Sequence, residues 1–225
     1  MRRYFKKIRN NKILQVLIVL SLAFFLYTMG LIGMIVTESG EASVKLTPLT
    51  LILSLLVVML YAEFLPAIRT ILIFLVIAVS GYLIEALGVN TGKIFGTYVY
   101  GKTLGLSILN TPVLIGLNWL FLVYVTSSLF EKYHIHQIFK IILASLAMVV
   151  FDLVLEPVAP KMDMWYWKNS VIPLRNYMAW FIIAIVFHSM IKLSRINTKN
   201  PIASWVLLCQ FLFFLILNFF LKQHP

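Results

Sequence analysis

Seven stretches of this 225-residue chain run apolar with few interruptions: Ile13–Val36, Leu46–Glu63, Thr70–Leu87, Ile108–Phe130, Gln137–Glu156, Leu174–Leu193 and Ile202–Leu221. A helix needs about 20 mostly apolar residues to cross a bilayer. Each stretch is close to that length, and none alternates polar with apolar as the strands of an outer-membrane barrel do. The pattern predicts an all-α, polytopic integral membrane bundle of about seven transmembrane helices. The second run is the weakest, because Pro48 trims its start and Glu63 its end.

Composition removes the alternatives. Hydrophobic residues make up 61% of the chain and charged residues 12%, with a mean hydropathy of +0.95. Soluble domains are about 45–50% apolar and about 25% charged. The net charge of +11 would suggest nucleic acid in a soluble protein. Here the basic residues sit in the N-terminal tail and the short loops, so they read as topology signal and no nucleic-acid partner is expected. Residues 1–12 form a basic tail carrying Arg2, Arg3, Lys6, Lys7, Arg9 and Lys12, which the positive-inside rule keeps cytoplasmic. Ile13–Val36 is too long for the about 7–15 apolar residues of a signal peptide and is expected to be retained. Residues 13–225 then form one transmembrane domain whose motifs lie in 85–180, with the C-terminus outside. The lone Cys209 excludes an intrachain disulfide.

The acids are the first candidate chemistry. Glu38 and Glu41 belong to a short polar loop, and Asp163, between Lys161 and Lys168, reads as a solvated loop charge. Glu85, Asp152 and Glu156 differ, because each is expected in the last turns of an apolar helix at the outer side. An ionisable group there normally faces a protein-lined cavity. Asp152 and Glu156 stand at i and i+4, on one helix face. Two carboxyls that close repel, and one holds its proton while its partner ionises.

Two segments repeat one plan. In the first, Glu85 ends a helix, a loop holds Tyr98-Val-Tyr100, and a helix opens at Pro112 with Trp119 two turns on. In the second, Glu156 ends a helix, a loop holds Trp165-Tyr-Trp167, and a helix opens near Pro173 with Trp180 two turns on. Asn118 and Asn176 add an amide to each second helix. This predicts a parallel internal repeat of helices 3–4 and 5–6, with acids and aromatics from both halves meeting at the outer side. Interfacial belts also collect Trp and Tyr. Aromatic faces stabilise cations as well, and these lie beside candidate proton donors. His134 and His136 read as a solvated loop; His188 is either a polar inter-helix contact or a proton relay.

The segment Phe95-Gly-Thr-Tyr-Val-Tyr-Gly-Lys-Thr-Leu-Gly105, followed by Pro112 and Asn118-Trp119, resembles membrane carotenoid-biosynthesis proteins of the carotenoid 1,2-hydratase family (bisanhydrobacterioruberin hydratase and γ-carotene hydratase). So do Asp152-Leu-Val-Leu-Glu-Pro-Val-Ala159, Trp165-Tyr-Trp167 and Pro173-Leu-Arg-Asn176-Tyr-Met-Ala-Trp180. The chain departs from that pattern with Asn110-Thr-Pro112 and Val171-Ile-Pro173 at the two helix openings, with Glu156 in place of Asp, and with Ala179 in place of Gly. The resemblance implies a hydro-lyase that adds water across the terminal C1=C2 bond of an acyclic carotenoid end group. Its partners would be the polyene, water, the bilayer and other carotenoid-biosynthesis enzymes.

Such chemistry needs a desolvated acid to protonate C2, aromatic faces and negative charge around the tertiary C1 cation, and a carboxylate to hold the attacking water. It needs no cofactor or metal, and the chain has no Cys cluster, glycine-rich phosphate loop or HExxH. Asp152 is expected as proton donor. Glu156 or Glu85 would orient the water. Tyr98, Tyr100, Trp119, Trp165 and Trp167 would line the end-group pocket, with Asn118 and Asn176 positioning water or acids. Competing readings are a proton-coupled transporter, a non-catalytic scaffold for a lipid-synthesis complex, and an enzyme on another isoprenoid. The expected location is a bacterial inner (plasma) membrane.

Overall fold

The computed structural model describes residues 46–63 and 67–223, with Leu17 alone before them. The basic tail and the rest of the run Ile13–Val36 lie outside the described residues. Six helices follow: α1 (Thr47–Leu60), α2 (Ile68–Thr91), α3 (Leu114–Glu131), α4 (Gln137–Leu155), α5 (Leu174–Leu193) and α6 (Ala203–Gln223). Four short strands lie between them: β1 (Tyr98–Tyr100), β2 (Ser107–Ile108), β3 (Thr111–Pro112) and β4 (Trp165–Trp167).

Helices α2 to α6 are long and apolar enough to cross a bilayer. They form the helical bundle of an integral membrane protein. Helix α1, which occupies the expected second span, has 14 residues and falls short of that length. The outward side of α2 presents Leu72, Leu75, Val79, Leu83 and Leu87, a surface suited to lipid. Helix α3 is the central post: 72% of its span is buried, and it packs against all five other helices.

Local chemistry sets the boundaries. Helix α2 stops at Gly92, whose φ of 63° supplies the left-handed cap while its N–H donates to the Gly88 carbonyl at 2.8 Å. Helix α4 starts at His136, whose ring accepts from the Ile138 N–H at 3.3 Å. Two expected boundaries need correction. Glu85 does not end its helix; α2 continues for nearly two more turns to Thr91. The run expected from Ile108 opens as a hairpin, and α3 begins only at Leu114. Leu109 and Asn110 adopt φ of 51° and 58°, the paired positive values of a two-residue hairpin turn, and Ile108 pairs with Thr111 across it. Pro112 therefore sits in β3 rather than opening the helix.

The α2–α3 crossing is close because glycines face each other's helix. A Cβ on Gly81 would lie 2.7 Å from Trp119 Cβ, and one on Gly116 would lie 2.5 Å from the Ala78 carbonyl oxygen. Small residues let helix backbones approach in this way. Gly81 is one turn before Glu85, so the same crossing brings Trp119 beside that acid.

Candidate active site

The two aromatic motifs expected in loops are strands, and they pair with each other. Strands β1 and β4 run antiparallel, with Tyr98 opposite Trp167, Val99 opposite Tyr166 and Tyr100 opposite Trp165. Alternate residues of a strand share a face. Tyr98, Tyr100, Trp165 and Trp167 therefore point inward together, while Val99 and Tyr166 are exposed on the other face. The inward rings pack across the strands, Tyr98 on Trp167 at 4.8 Å and Tyr100 on Trp165 at 6.3 Å between centroids.

A loop latch holds this small sheet over the bundle. Asp163, at φ 49°, accepts from the Lys102 backbone N–H at 3.1 Å and from the Tyr166 hydroxyl at 2.8 Å. The expected solvated charge is thus a half-buried tie between the two loops. Its carboxylate meets a backbone donor that only the paired strands bring near.

The inward polar groups converge on the acids. Tyr98 and Tyr100 donate to Oε2 of Glu85 at 2.5 and 3.0 Å, and the Trp119 indole N–H donates to Oε1 at 3.1 Å. The indoles of Trp165 and Trp167 donate to Oε2 of Glu156 at 3.0 and 2.7 Å. The Asn176 amide donates to Oε1 of Glu156 at 3.1 Å and to Oδ2 of Asp152 at 3.0 Å. Burial, then the neighbouring Glu85 carboxylate, push both phenols well above their ordinary range, so they keep their protons and act as donors.

Glu85, Asp152 and Glu156 are 3%, 1% and 3% exposed. Among the described residues no cation pairs with any of them. Oδ1 of Asp152 is buried without a hydrogen-bond partner among the described residues. The acids line one small chamber together with the four strand aromatics. Trp119 and Trp180 stack at 4.3 Å between centroids and form another wall. All ten expected site residues line this chamber. Trp180 joins them; the two-turn spacing after Pro173 was its signal. Asn118 makes no hydrogen bond with a described residue and lies where the chamber meets a larger cleft.

That cleft, about 850 Å³, shares Ile115, Asn118, Leu155 and Trp165 with the chamber. It runs on between α1, α3, α4 and α6, past Leu51, Phe151, Phe213 and Phe214. Its α1 and α6 walls fall outside the motif region 85–180, and the motifs gave no sign of them. The arrangement is an acidic chamber that adjoins an apolar slot.

His188 lies elsewhere. Its ring contacts the Thr126 and Ser145 hydroxyls at 3.0 and 3.1 Å and the Ala184 carbonyl at 2.7 Å. It is a polar contact joining α3, α4 and α5.

Fold and site together define a membrane-embedded helical protein with a buried chamber of carboxyl and aromatic groups. Residues 46–224 match the family model described as carotenoid biosynthesis protein, and the chain belongs to that family. No curated protein and no solved structure matches it. The family gives the chain a role in carotenoid biosynthesis and implies a carotenoid or other polyene as its substrate.

Proposed function

We propose that the protein is a hydro-lyase that adds water to the terminal C1=C2 bond of an acyclic carotenoid end group. One observation carries this reading: the uneven division of hydrogen-bond donors among three buried acids. Glu85 and Glu156 each receive three donors, which suits carboxylates. Asp152 receives one donor, and its Oδ1 has no hydrogen-bond partner among the described residues. A carboxyl of that kind, beside two carboxylates and shielded from water, is suited to hold a proton and give it to a weak base.

The steps follow from this. The polyene lies in the apolar cleft with its end group in the chamber. Asp152 gives its proton to C2, and the alkene π pair forms the new C–H bond, leaving a tertiary cation at C1. The faces of Trp165, Trp167 and the Trp119–Trp180 stack, with the charge of Glu85 and Glu156, stabilise that cation. A water held by Asn118 and Glu156 attacks C1 through an oxygen lone pair. Glu156 takes the surplus proton as the C–O bond forms. Glu156 passes the proton to the next water that enters the chamber, and that water passes one to Asp152; the two carboxyls lie close, since both accept from one Asn176 amide. The cycle consumes one water and no net proton.

The two acid cradles read as copies of one unit, an acid served by alternate aromatics of its own strand motif. With the basic tail cytoplasmic and both runs before α2 crossing the bilayer, the chamber would lie in the outer half of a prokaryotic inner membrane. Expression in cells that accumulate lycopene or another acyclic carotenoid tests the function: mass spectrometry should find a pigment that has gained one water, absent with Asp152→Asn. A transporter or scaffold yields no new pigment.

A further inference from the structure

The apolar cleft holds polar groups that hydrocarbon cannot satisfy, and the most deeply buried of them is an amide. Gln210, in the middle of α6, is 3% exposed and lines the cleft. Its carboxamide makes no hydrogen bond with any described residue. Of the other amides, Asn118 shares this state, but it is only half-buried and lies at the mouth of the acid chamber; three more have backbone partners. Asn218, on the same helix, donates to the Val154 carbonyl at 2.6 Å. Asn90 donates to the Ala86 carbonyl at 2.7 Å, and Asn200 to the Val58 carbonyl at 2.8 Å. The wall has another polar side chain without a partner among the described residues, Thr47, which is 8% exposed. The neighbouring Thr50 hydroxyl is engaged with the Leu46 carbonyl at 3.0 Å.

A buried amide without a partner is costly, and an all-hydrocarbon occupant would leave Gln210 in that condition. An oxygen on the occupant would relieve it. Pockets built to hydrogen-bond a substrate group discriminate strongly against analogues that lack it. We infer that Gln210 is a specificity residue that recognises a hydroxyl or carbonyl oxygen on the polyene segment lying outside the acid chamber. The inference rests on the proposed function in one respect, that the cleft carries the polyene while its end group reacts. The preferred substrate is therefore an oxygenated polyene with one unreacted acyclic end.

The test offers membranes containing the full chain a mixture of an acyclic hydrocarbon carotenoid and its singly hydroxylated counterpart, and measures hydration of each by mass spectrometry. The wild type should favour the hydroxylated pigment by about tenfold, the worth of one hydrogen bond. Gln210→Leu should bring the ratio near unity, with the hydrocarbon gaining. Gln210→Met provides the same reading should the leucine variant not accumulate. Equal use of the two pigments by the wild type, or an unchanged preference in either variant, overturns the inference. Retention of the two pigments by purified Asp152→Asn protein, with and without Gln210→Leu, separates the two claims. If the wild type hydrates nothing, the hydratase reading fails, while a Gln210-dependent retention ratio still decides the role of this residue.

Discussion

Glu131 and the chamber acids show two ways to keep a carboxyl group in a membrane bundle. Glu131, at the end of α3, pairs with Lys192, takes the Thr198 hydroxyl at 2.9 Å and has Lys140 at 3.9 Å. Opposite charge and a polar neighbour satisfy it, and it ties α3 to α4, α5 and the segment before α6. Glu85, Asp152 and Glu156 are buried more deeply and, among the described residues, have only neutral donors: phenols, indoles and one amide. A cation would quench a carboxylate as a proton acceptor and hold a carboxylic acid ionised. Neutral donors position the groups and leave their proton chemistry intact. The contrast separates an acid that serves the fold from acids available for reaction.

Substitutions sharpen the contrast, beginning with the largest effect. Asp152→Asn keeps size and polarity and removes the proton. Hydration should fall by about 10²–10⁴-fold, the usual worth of a general acid. Pigment assays on membranes of equal protein content check this; undiminished product would remove Asp152 from the mechanism. Glu156→Gln should lose about 10²-fold through the water-activating step, with pigment binding retained.

Trp167→Phe keeps a ring beside the cation and deletes the 2.7 Å indole bond to Glu156. About tenfold of turnover should be lost, together with roughly 1–3 kcal/mol of stability for the charged hydrogen bond and the space left behind. Glu131→Gln should cost stability alone. Turnover per folded molecule stays within about twofold, while stability drops by roughly 1–3 kcal/mol through loss of charged hydrogen bonds. Thermal unfolding in detergent checks it. If Glu131→Gln were as inactive as Asp152→Asn at unchanged stability, the division between the two kinds of acid would collapse.

Gly81→Val tests how the cradle is built. The added atoms collide with Trp119, whose Cβ already lies 2.7 Å from the position of an alanine Cβ. The displaced indole leaves Glu85 with the two phenols, and activity should fall further than it does in Trp119→Phe. Equal loss in the two variants would show that the helix crossing is not what holds the donor.

Much of this was legible along the chain. Hydropathy is a local property, so the spans from the third onward could be read from runs of apolar residues. The expense of an acid in an apolar helix marked Glu85, Asp152 and Glu156 without any knowledge of their neighbours. The Tyr-Val-Tyr and Trp-Tyr-Trp triplets even carried the two-residue period of strands, although they read as loops. Their partnership could not be read, because β1 and β4 lie far apart in sequence and only the packing of the helices between them sets the register. The turn at Leu109-Asn110 was hidden for another reason. Asn110 tolerates a positive φ, but Leu109 beside it belongs to an apolar run and takes its positive φ only because the hairpin imposes it.

The sequence by itself determined a membrane bundle, the identities of the acids and aromatics, and the face that Asp152 and Glu156 share, since these depend on composition and helical spacing. The tertiary structure alone decided which donor reaches which carboxyl, that Oδ1 of Asp152 has none among the described residues, and that an apolar cleft walled by α1 and α6 adjoins the chamber. Hydrogen bonds and cavities belong to atoms brought together from distant segments. Their geometry is fixed to within tenths of an ångström by packing, and no spacing along one segment records it.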